Sequence, residues 1–224
     1  MDMILGAGTK RRILQAARAL FAERGFKGAT VRDICKAAGA NAAAVCYHFG
    51  GKEELYVAVL HDYMKDMVRR FPRDLGMTPQ SSPEERLRAF VRSHLSQTAG
   101  GEGLGDERLG RLLMQEILEP SEHFSVIFEH DGQRSRQLLL DIVGLLLPGA
   151  DEMTVSRCAS SIIGQCLLFD FFRKTITRMA PELELKAGNI QAFTDFIVEF
   201  SLGGIVRLGM GPAGQGRIPL TSST

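Results

Sequence analysis

Apolar residues recur at helical spacing near the start of the chain. Their positions follow an i, i+3, i+4, i+7 order, which places them on one face of a helix. Thr9 is the expected N-cap of this helix, and Gly25 is the residue expected to close it. The apolar face consists of Ile13, Ala16, Ala17, Leu20 and Phe21.

Two shorter helices follow, each with its own start and stop signals. Thr30 is the expected N-cap of VRDICKAA, Asp33 stands in the capping-box position, and Gly39 is the expected end. Asn41 then caps AAAVCYHF after only a few residues. Two short helices joined by a tight turn that contains glycine are typical of a helix-turn-helix.

The rest of the chain continues the helical pattern. Residues 52–71 run without a helix breaker up to Pro72, with apolar residues at helical spacing. Residues 72–83 are loop-like by their Pro, Gly and Ser content, a helix opens at Pro83, and residues 99–106 break it. Further helices are predicted at 106–118, 121–147 with a kink near Gly132, 151–179 and 189–208.

No segment alternates apolar and polar residues as a strand would, and no internal repeat is evident. We therefore predict an all-α fold, with an N-terminal three-helix head joined by a long helix to a helical-bundle body. The head is expected to span residues 1–55 and the body 56–208. Residues 209–224 are expected to form a disordered tail because they are rich in Gly, Pro and Ser.

Charge is distributed unevenly, although the formal net charge of the whole chain is only +1. Residues 1–55 contain nine Lys or Arg against five Asp or Glu, a net +4. Residues 56–224 contain eighteen against twenty-one, a net −3. A basic head and an acidic body are expected to meet different partners.

Composition narrows the class of protein. The longest apolar stretch, residues 138–149, is interrupted by Asp141 and is shorter than the roughly 20 residues of a membrane-spanning helix. The start of the chain lacks the order of a secretory signal, so a cytoplasmic protein with no membrane partner is expected. No CxxC pair or Cys/His cluster has zinc-ligand spacing, so we expect no metal, no cofactor and buried free thiols. The cysteines are Cys35, Cys46, Cys158 and Cys166.

The third helix has side chains suited to a DNA major groove. Three small residues let its backbone approach the DNA and can touch thymine methyl groups, but they cannot hydrogen-bond base edges. Base reading is therefore expected largely from Asn41, Tyr47 or neighbouring side chains such as Arg32. Tyr47, His48 and Lys52 are expected to contact phosphates, together with the free N–H groups at the start of the next helix. The small residues are Ala42, Ala43 and Ala44.

Residues 30–60, TVRDICKAAGANAAAVCYHFGGKEELYVAVL, resemble the DNA-binding head of the TetR family of bacterial transcriptional regulators. In that family, the second helix contains Thr-x-x-x-Ile and is followed by an Ala-Gly turn. The third helix ends in Tyr/His-Phe, and the next helix starts with Gly/Ser-Lys-Glu. The chain departs from this pattern at Cys46, where the family usually has an aromatic residue, and at the alanine run, where many members have Lys or Thr. The matching residues are Phe21, Gly25, Thr30, Ile34, Ala38, Gly39, Tyr47, His48, Phe49, Lys52, Glu53 and Leu55. The predicted DNA-binding residues are Thr30, Arg32, Asn41, Ala42, Ala43, Ala44, Tyr47, His48 and Lys52.

The body resembles the CecR-like subgroup in residues 112–129 and 160–173. This resemblance implies a homodimer formed by the last two long helices and an effector pocket among the preceding ones. The last helix supports a dimer independently, because its apolar residues cover more than one face and Gly203-Gly204 permits close approach. The alternative is a central helix of a monomeric bundle. The predicted interface residues are Ile162, Phe193, Ile197, Phe200 and Ile205.

Polar residues on apolar faces are the candidates for the pocket. Glu116 and Gln165 each lie among apolar neighbours, and a ligand could be the partner that a buried polar group needs. The alternative is structural, with Glu116 paired to Arg111 or another arginine and the phenylalanines in the core. The predicted ligand-binding residues are Leu113, Glu116, Phe124, Phe128, Gln165, Phe169 and Phe172.

The sequence thus predicts a homodimeric regulator, a repressor that binds a pseudo-palindromic double-stranded operator and is released by an unknown small-molecule effector. Two alternatives remain: a constitutive dimeric DNA-binding protein without an effector, and a helical enzyme with a vestigial head. The sequence argues against an enzyme because it offers no Ser-His-Asp or Cys-His arrangement, and no glycine-rich phosphate loop follows a strand.

Overall fold

The computed structural model describes residues 2–99, 107–129 and 131–209, and all regular elements within these ranges are helical. This confirms the predicted all-α class. The α-helices are α1 (Asp2–Gly28), α2 (Val31–Ala38), α3 (Ala42–Phe49), α4 (Lys52–Arg70), α5 (Pro83–Ala99), α6 (Glu107–Leu118), α7 (Phe124–Phe128), α8 (Asp131–Leu146), α9 (Glu152–Phe171), α10 (Arg173–Met179) and α11 (Ile190–Gly209). Short 3-10 helices occur at Pro181–Leu183 and Ala187–Asn189.

The chain folds into two compact units, and each is made of two separate stretches of sequence. The first unit consists of residues 1–72 and 101–134, and the second of residues 73–100 and 135–224. The predicted boundary after residue 55 divides the chain differently and stays a prediction. Residues 210–224 of the predicted tail lie outside the described residues.

The first unit has a core to which α1, α2, α3, α4, α6 and α7 all contribute. The apolar face predicted for α1 lies in this core, next to side chains from α6 and α7 far along the sequence. The helix-turn-helix therefore shares its core with helices that lie beyond residue 100. Fully buried members are Ile13, Ala17, Phe21, Ile34, Val45, Leu55, Val59, Leu60, Leu109 and Ile127.

The second unit has its own core, formed by α5, α8, α9 and α11. Polar contacts add to it at the surface, where Arg88 of α5 forms ion pairs with Asp195 and with Glu199 of α11. Deeply buried members of this core are Leu87, Phe90, Val91, Leu95, Ile142, Val143, Ile162, Cys166, Ile197 and Val198.

The first helix begins earlier than predicted. Thr9 lies inside α1, which begins at Asp2, and its hydroxyl accepts a hydrogen bond from Arg12 at 3.4 Å instead of capping the helix. Gly25 does interrupt the helix, with φ 69° and ψ 178°. Glycine adopts this conformation readily because it has no Cβ.

Two long predicted helices are each divided into two. The helix expected over 121–147 is divided into α7 and α8, and the one expected over 151–179 into α9 and α10. The second division occurs at Phe172, whose φ of −106° and ψ of 15° are not helical. Residues 170–174 contain neither Gly nor Pro, so neither of the two strongest helix-breaking residues marks this break.

Within the described residues, no single helix combines the length and the apolar composition needed to cross a membrane. One bent pair, Glu152–Phe169 with Arg173–Met179, meets the test by length and composition only, with 67° between its two parts.

Candidate nucleic-acid interface

The second helix starts at a fully formed cap. The Thr30 hydroxyl accepts a hydrogen bond from the Asp33 N–H at 3.1 Å and donates one to the Asp33 carboxylate at 2.7 Å. That side-chain bond is the main cause that lowers the pKa of Asp33, and the charges of Arg24 and Arg32 lower it further, while partial desolvation opposes them. Thr30 and Arg32 are both exposed at this end of α2, as a role in DNA contact requires.

The turn between α2 and α3 depends on one glycine. Gly39 has φ 60° and ψ 42°, the left-handed conformation, and its N–H bonds to the carbonyl of Cys35. A Cβ at this position would meet no atom within 4 Å, so the need for glycine is conformational and not steric. This turn sets the direction in which α3 leaves α2.

The third helix presents one exposed face. Val45 is fully buried, and Phe49, one helical turn further on, is partly buried. Ala44 and His48 are half-buried, so their contribution to a DNA surface is smaller than predicted for an exposed run. The exposed residues are Ala42, Ala43, Cys46 and Tyr47.

Cys46 corrects the expectation of four buried thiols. Cys35, Cys158 and Cys166 are buried, but Cys46 is exposed. Its position explains the difference, because residue 46 lies one helical turn after Ala42 and therefore shares the outer face. No group of three or more His, Cys, Asp or Glu side chains among the described residues could hold a metal ion.

Asn41 is the N-cap of α3, as predicted. Its Oδ1 accepts a hydrogen bond from the Ala44 N–H at 2.9 Å. The side chain is exposed, and its oxygen is used within the helix.

The start of α4 is less open to anions than predicted. Its N-cap, Gly51, supplies no side-chain hydrogen bond, so the first N–H groups are not capped. However, Glu54 folds back over the turn, because a Cβ at Gly51 would lie 2.9 Å from Glu54 Oε2. The negative charge of this carboxylate opposes the binding of a phosphate at the start of α4.

Lys52 is held by an aromatic ring. Its Nζ lies 4.4 Å from the centroid of the Phe26 ring, which in turn lies 5.0 Å from the ring of Tyr56. A cation over a ring face is attracted by the ring quadrupole. The side chain that is predicted to contact a phosphate is therefore positioned by its contact with Phe26.

Lys10 is a candidate that the sequence reasoning missed. Its Nζ lies 5.6 Å from the centroid of the Phe49 ring, which brings the exposed start of α1 to the end of α3. Tyr47, 85% exposed, and His48 lie at that same end, with ring centroids 5.0 Å apart. The run Lys10-Arg11-Arg12 was the available signal, but the sequence alone does not show that the N-terminal part of α1 lies beside the end of α3.

Glu116 has partners different from those considered in the sequence. It is 7% exposed, and its Oε1 accepts a hydrogen bond from the Tyr56 hydroxyl at 3.2 Å, not from an arginine. Its Oε2 accepts from the Ser121 hydroxyl at 2.7 Å and from the Ser121 N–H at 3.3 Å. Burial raises the pKa of Tyr56, and the nearby charge and hydrogen bond of Glu116 raise it further. The network ties α4 to the turn after α6.

The other predicted ligand residues lie in both units. The rings of Phe124 and Phe128 contact each other at a tilt in the first unit, with centroids 4.6 Å apart, and Leu113 is also buried there. In the second unit, Gln165 donates to the Ser201 hydroxyl at 3.2 Å, and Phe169 packs edge-on against Phe193 at 4.8 Å. Phe172 is exposed.

Neither of the two described cavities is lined by more than one of the predicted ligand-binding residues. Phe169 lines a cavity of about 10 Å³, room for roughly one water molecule. A groove of about 420 Å³ on the first unit is lined by residues of α1 and α2 instead. The ligand set stays a prediction.

The predicted dimer residues separate into buried and exposed ones. Ile162, Ile197 and Ile205 belong to the core of the second unit, with 2–3% exposure, so their side chains face inward. Phe193 is half-buried, and Phe200 is 66% exposed. Phe196, which is not among the predicted interface residues, is 67% exposed and stacks with Phe200 at 6.1 Å.

Comparison with known proteins gives a family for each part of the chain. Residues 13–59 match the family model of the bacterial regulatory proteins of the tetR family. Residues 83–205 match the C-terminal domain of the HTH-type transcriptional dual regulator CecR.

Individual relatives agree with both family matches. The HTH-type transcriptional repressor KstR2 of Mycobacterium tuberculosis is 37% identical over 92 residues, 40% of this chain and 45% of the relative. CecR of Shigella flexneri is 47% identical over 87 residues, 38% of this chain and 34% of the relative. The chain thus spans less than half the length of these curated relatives. Both are named as regulators of transcription, which argues against the enzyme alternative.

A solved structure shares the fold over most of the chain. AibR, crystallised with isovaleryl coenzyme A and operator DNA, has a TM-score of 0.57 and 19% identity, covering 86% of this chain and 97% of its own. At that identity the likeness shows the fold alone. The CecR-type match, however, covers more than half of this sequence. The chain therefore belongs to the TetR family of bacterial regulatory proteins, with a C-terminal domain of the CecR type.

Proposed function

We propose that this protein is a sequence-specific DNA-binding repressor of transcription. The observation that carries the proposal is the helix-turn-helix, in which α3 is fixed by two caps and a left-handed glycine and presents one exposed face. Lys10 and Tyr47 lie at one end of that face and Lys52 follows it, so cationic and hydroxyl groups are available for phosphates.

The repressor acts as a homodimer, because one eight-residue helix reads few bases and two related helices read a pseudo-palindrome. We place the interface on the exposed side of α11, formed by Phe196, Phe200 and the open backbone at Gly203 and Gly204. The exposed side of α9 also carries small residues, at Ser160, Ser161 and Gly164. Exposed aromatic rings beside small residues suit close helix packing.

A small-molecule effector releases the operator by favouring a state of the dimer that does not bind DNA. Recognition helices of a dimer must sit about 34–36 Å apart to enter successive major grooves, so a shift of a few ångströms suffices. Among the named structural relatives, AibR was crystallised with both an acyl coenzyme A and operator DNA.

One observation favours a second candidate, a constitutive DNA-binding dimer without an effector. The two polar residues predicted to meet a ligand already have protein partners, Glu116 with Tyr56 and Ser121, and Gln165 with Ser201. A screen of small molecules separates the two candidates. Thermal stabilisation by a compound that also releases operator DNA supports the repressor with an effector, and its absence across the screen supports the constitutive protein.

The first test is selection of bound sequences from a random DNA pool at near-physiological salt, where the non-specific phosphate attraction is weakened. A two-fold symmetric motif is expected. Ala43→Glu should abolish enrichment because it places a negative charge on the exposed face of α3, whereas Leu145→Glu, at an exposed position on α8, should not. If the unchanged protein enriches no motif, sequence-specific binding is refuted.

A further inference from the structure

The exposed face of α3 offers few hydrogen bonds to bases. Ala42 and Ala43 present only methyl groups, and Cys46 presents a thiol, which is a weak donor and a weak acceptor. Of the four exposed residues, Tyr47 alone has a strong hydrogen-bonding group, and it lies at the end of the helix near Lys10 and His48. The central part of this face is therefore apolar.

The neighbouring polar side chains are partly used inside the protein. Bidentate recognition of adenine by Asn requires its oxygen to accept from N6 while its NH₂ donates to N7. The Asn41 oxygen already accepts from the Ala44 N–H at 2.9 Å, which holds the carboxamide against the helix end. The Thr30 hydroxyl likewise both accepts from and donates to Asp33. These two residues are thus poorly placed to supply the missing hydrogen bonds to base edges.

Major-groove edges of the four bases differ in one apolar group, the 5-methyl of thymine. We propose that Ala42, Ala43 and Cys46 discriminate among operators mainly by packing against thymine 5-methyl groups, so that each half-site requires thymine where α3 faces it. This inference rests on the proposed function, because it names the base chemistry that the same surface recognises. It also assigns Cys46 a contact role in place of the aromatic residue usual at that position.

The test uses the operator obtained from the random pool, with single thymines replaced by deoxyuridine. Deoxyuridine pairs with adenine and keeps the O4 acceptor, so the substitution removes only the methyl group. Replacement of a contacted thymine should weaken operator binding by about fourfold, because the complex then buries one methyl-sized apolar group fewer. Thymines outside the half-sites are the internal control and should show no change. This measurement needs no protein variant and is made with reductant present, because Cys46 is exposed.

A pair of variants then assigns one thymine to Cys46. Cys46→Ser keeps the size of the side chain but makes it polar, so the ratio of affinities for thymine and deoxyuridine should fall towards one at a single position. Cys46→Ala keeps an apolar group and should retain part of the ratio there. Both variants should bind random-sequence DNA as the unchanged protein does, which shows that the fold and the phosphate contacts are intact.

The outcomes separate this inference from the proposed function. A symmetric motif whose affinity does not change with deoxyuridine at any position would overturn the methyl readout and leave the sequence-specific regulator standing. If several thymines are sensitive to deoxyuridine replacement and Cys46→Ser changes none of these effects, Cys46 does not contact a thymine methyl group. A pool with no enriched motif would overturn both, since no base discrimination would exist to explain.

Discussion

Lys10 shows how the role of a single residue depends on its place in the fold. In the sequence it is one cation of a basic run, but in the structure its ammonium lies over the ring of Phe49 at the end of α3. We expect Lys10→Ala to weaken binding to all DNA sequences similarly. The slope of log K against log salt concentration should fall by about one, as for the loss of one phosphate contact.

Lys186→Ala is the matched control for that measurement. Lys186 lies in the second unit, where it forms an ion pair with Glu184 at 2.8 Å. Its replacement should leave the salt slope of DNA binding unchanged. Equal slopes for the Lys10 variant and the unchanged protein would show that Lys10 does not reach a phosphate.

Gly39 allows the cost of a backbone conformation to be measured without steric interference. Gly39→Ala should lower the free energy of unfolding by about 1–2 kcal/mol, because an L-residue is strained in the left-handed region. Gly144→Ala is the control, since Gly144 also has room for a Cβ but lies inside α8 without a positive φ. It should stabilise the protein by about 0.5–1 kcal/mol. Denaturant unfolding of both variants tests the pair, and stabilisation by both would contradict the left-handed turn.

At this scale, local chemistry made much of the head predictable. The caps at Thr30 and Asn41 and the turn at Gly39 depend on residues at most four positions apart, and all three are as expected. The exposure of Cys46 required the orientation of α3 against the core, which residue identity alone does not give. The use of Asn41 as a cap was predicted, but its consequence for base reading becomes clear only from the bond that its oxygen makes.

At the scale of elements, the contact between α4 and the turn after α6 is the clearest case for measurement. Tyr56→Phe keeps the ring that packs against Phe21 at 5.2 Å but removes the hydroxyl that bonds to buried Glu116. Loss of one partner of a buried polar pair should lower the free energy of unfolding by about 1–3 kcal/mol. Tyr47→Phe removes a hydroxyl from an exposed ring and should have no measurable effect on stability.

The contribution of Tyr56 to the free energy of unfolding depends on pH, and the raised pKa fixes the sign of that dependence. The pKa of Tyr56 is raised from an ordinary value of 10.0 when the protein folds, so the protonated phenol is the form favoured in the folded state. Its contribution is complete below pH 10 and is lost as pH rises above that value. The stability difference between the unchanged protein and Tyr56→Phe should therefore be constant near neutral pH and shrink above pH 10. A difference that grows in alkaline solution would contradict this arrangement.

Element boundaries were predictable where a residue marks them and unpredictable elsewhere. Pro83 opens α5, and α6 ends two residues before Pro120, in keeping with the effect of proline on helices. The break at Phe172 has no such residue, so only tertiary packing can decide it. The partners of Glu116 were missed for the same reason, since Tyr56 lies 60 positions away.

For the whole molecule, the proposed dimer is the assembly to test. Phe200→Glu should convert the dimer to a monomer, because a charge placed in an apolar interface loses hydration without gaining a partner. Sedimentation equilibrium measures the mass. The variant should also lose preference for the two-fold symmetric operator while keeping weak binding to random DNA.

Leu145→Glu provides the control for the dimer as well. Leu145 is an exposed apolar residue of comparable accessibility on α8, outside the face formed by Phe196 and Phe200. The Leu145→Glu protein should remain dimeric. A Phe200→Glu protein of unchanged mass would place the interface elsewhere, and dissociation of both variants would indicate a less specific loss of structure.

The interleaving of the two units along the sequence has a consequence for biosynthesis. The first unit needs Leu109, Leu113 and Ile127 for its core, so it cannot be completed until about residue 134 has left the ribosome. By then α5, which belongs to the second unit, has already emerged and must wait for α9 and α11 to be translated. Neither unit is one continuous segment, so the order of translation and the order of assembly differ in this protein.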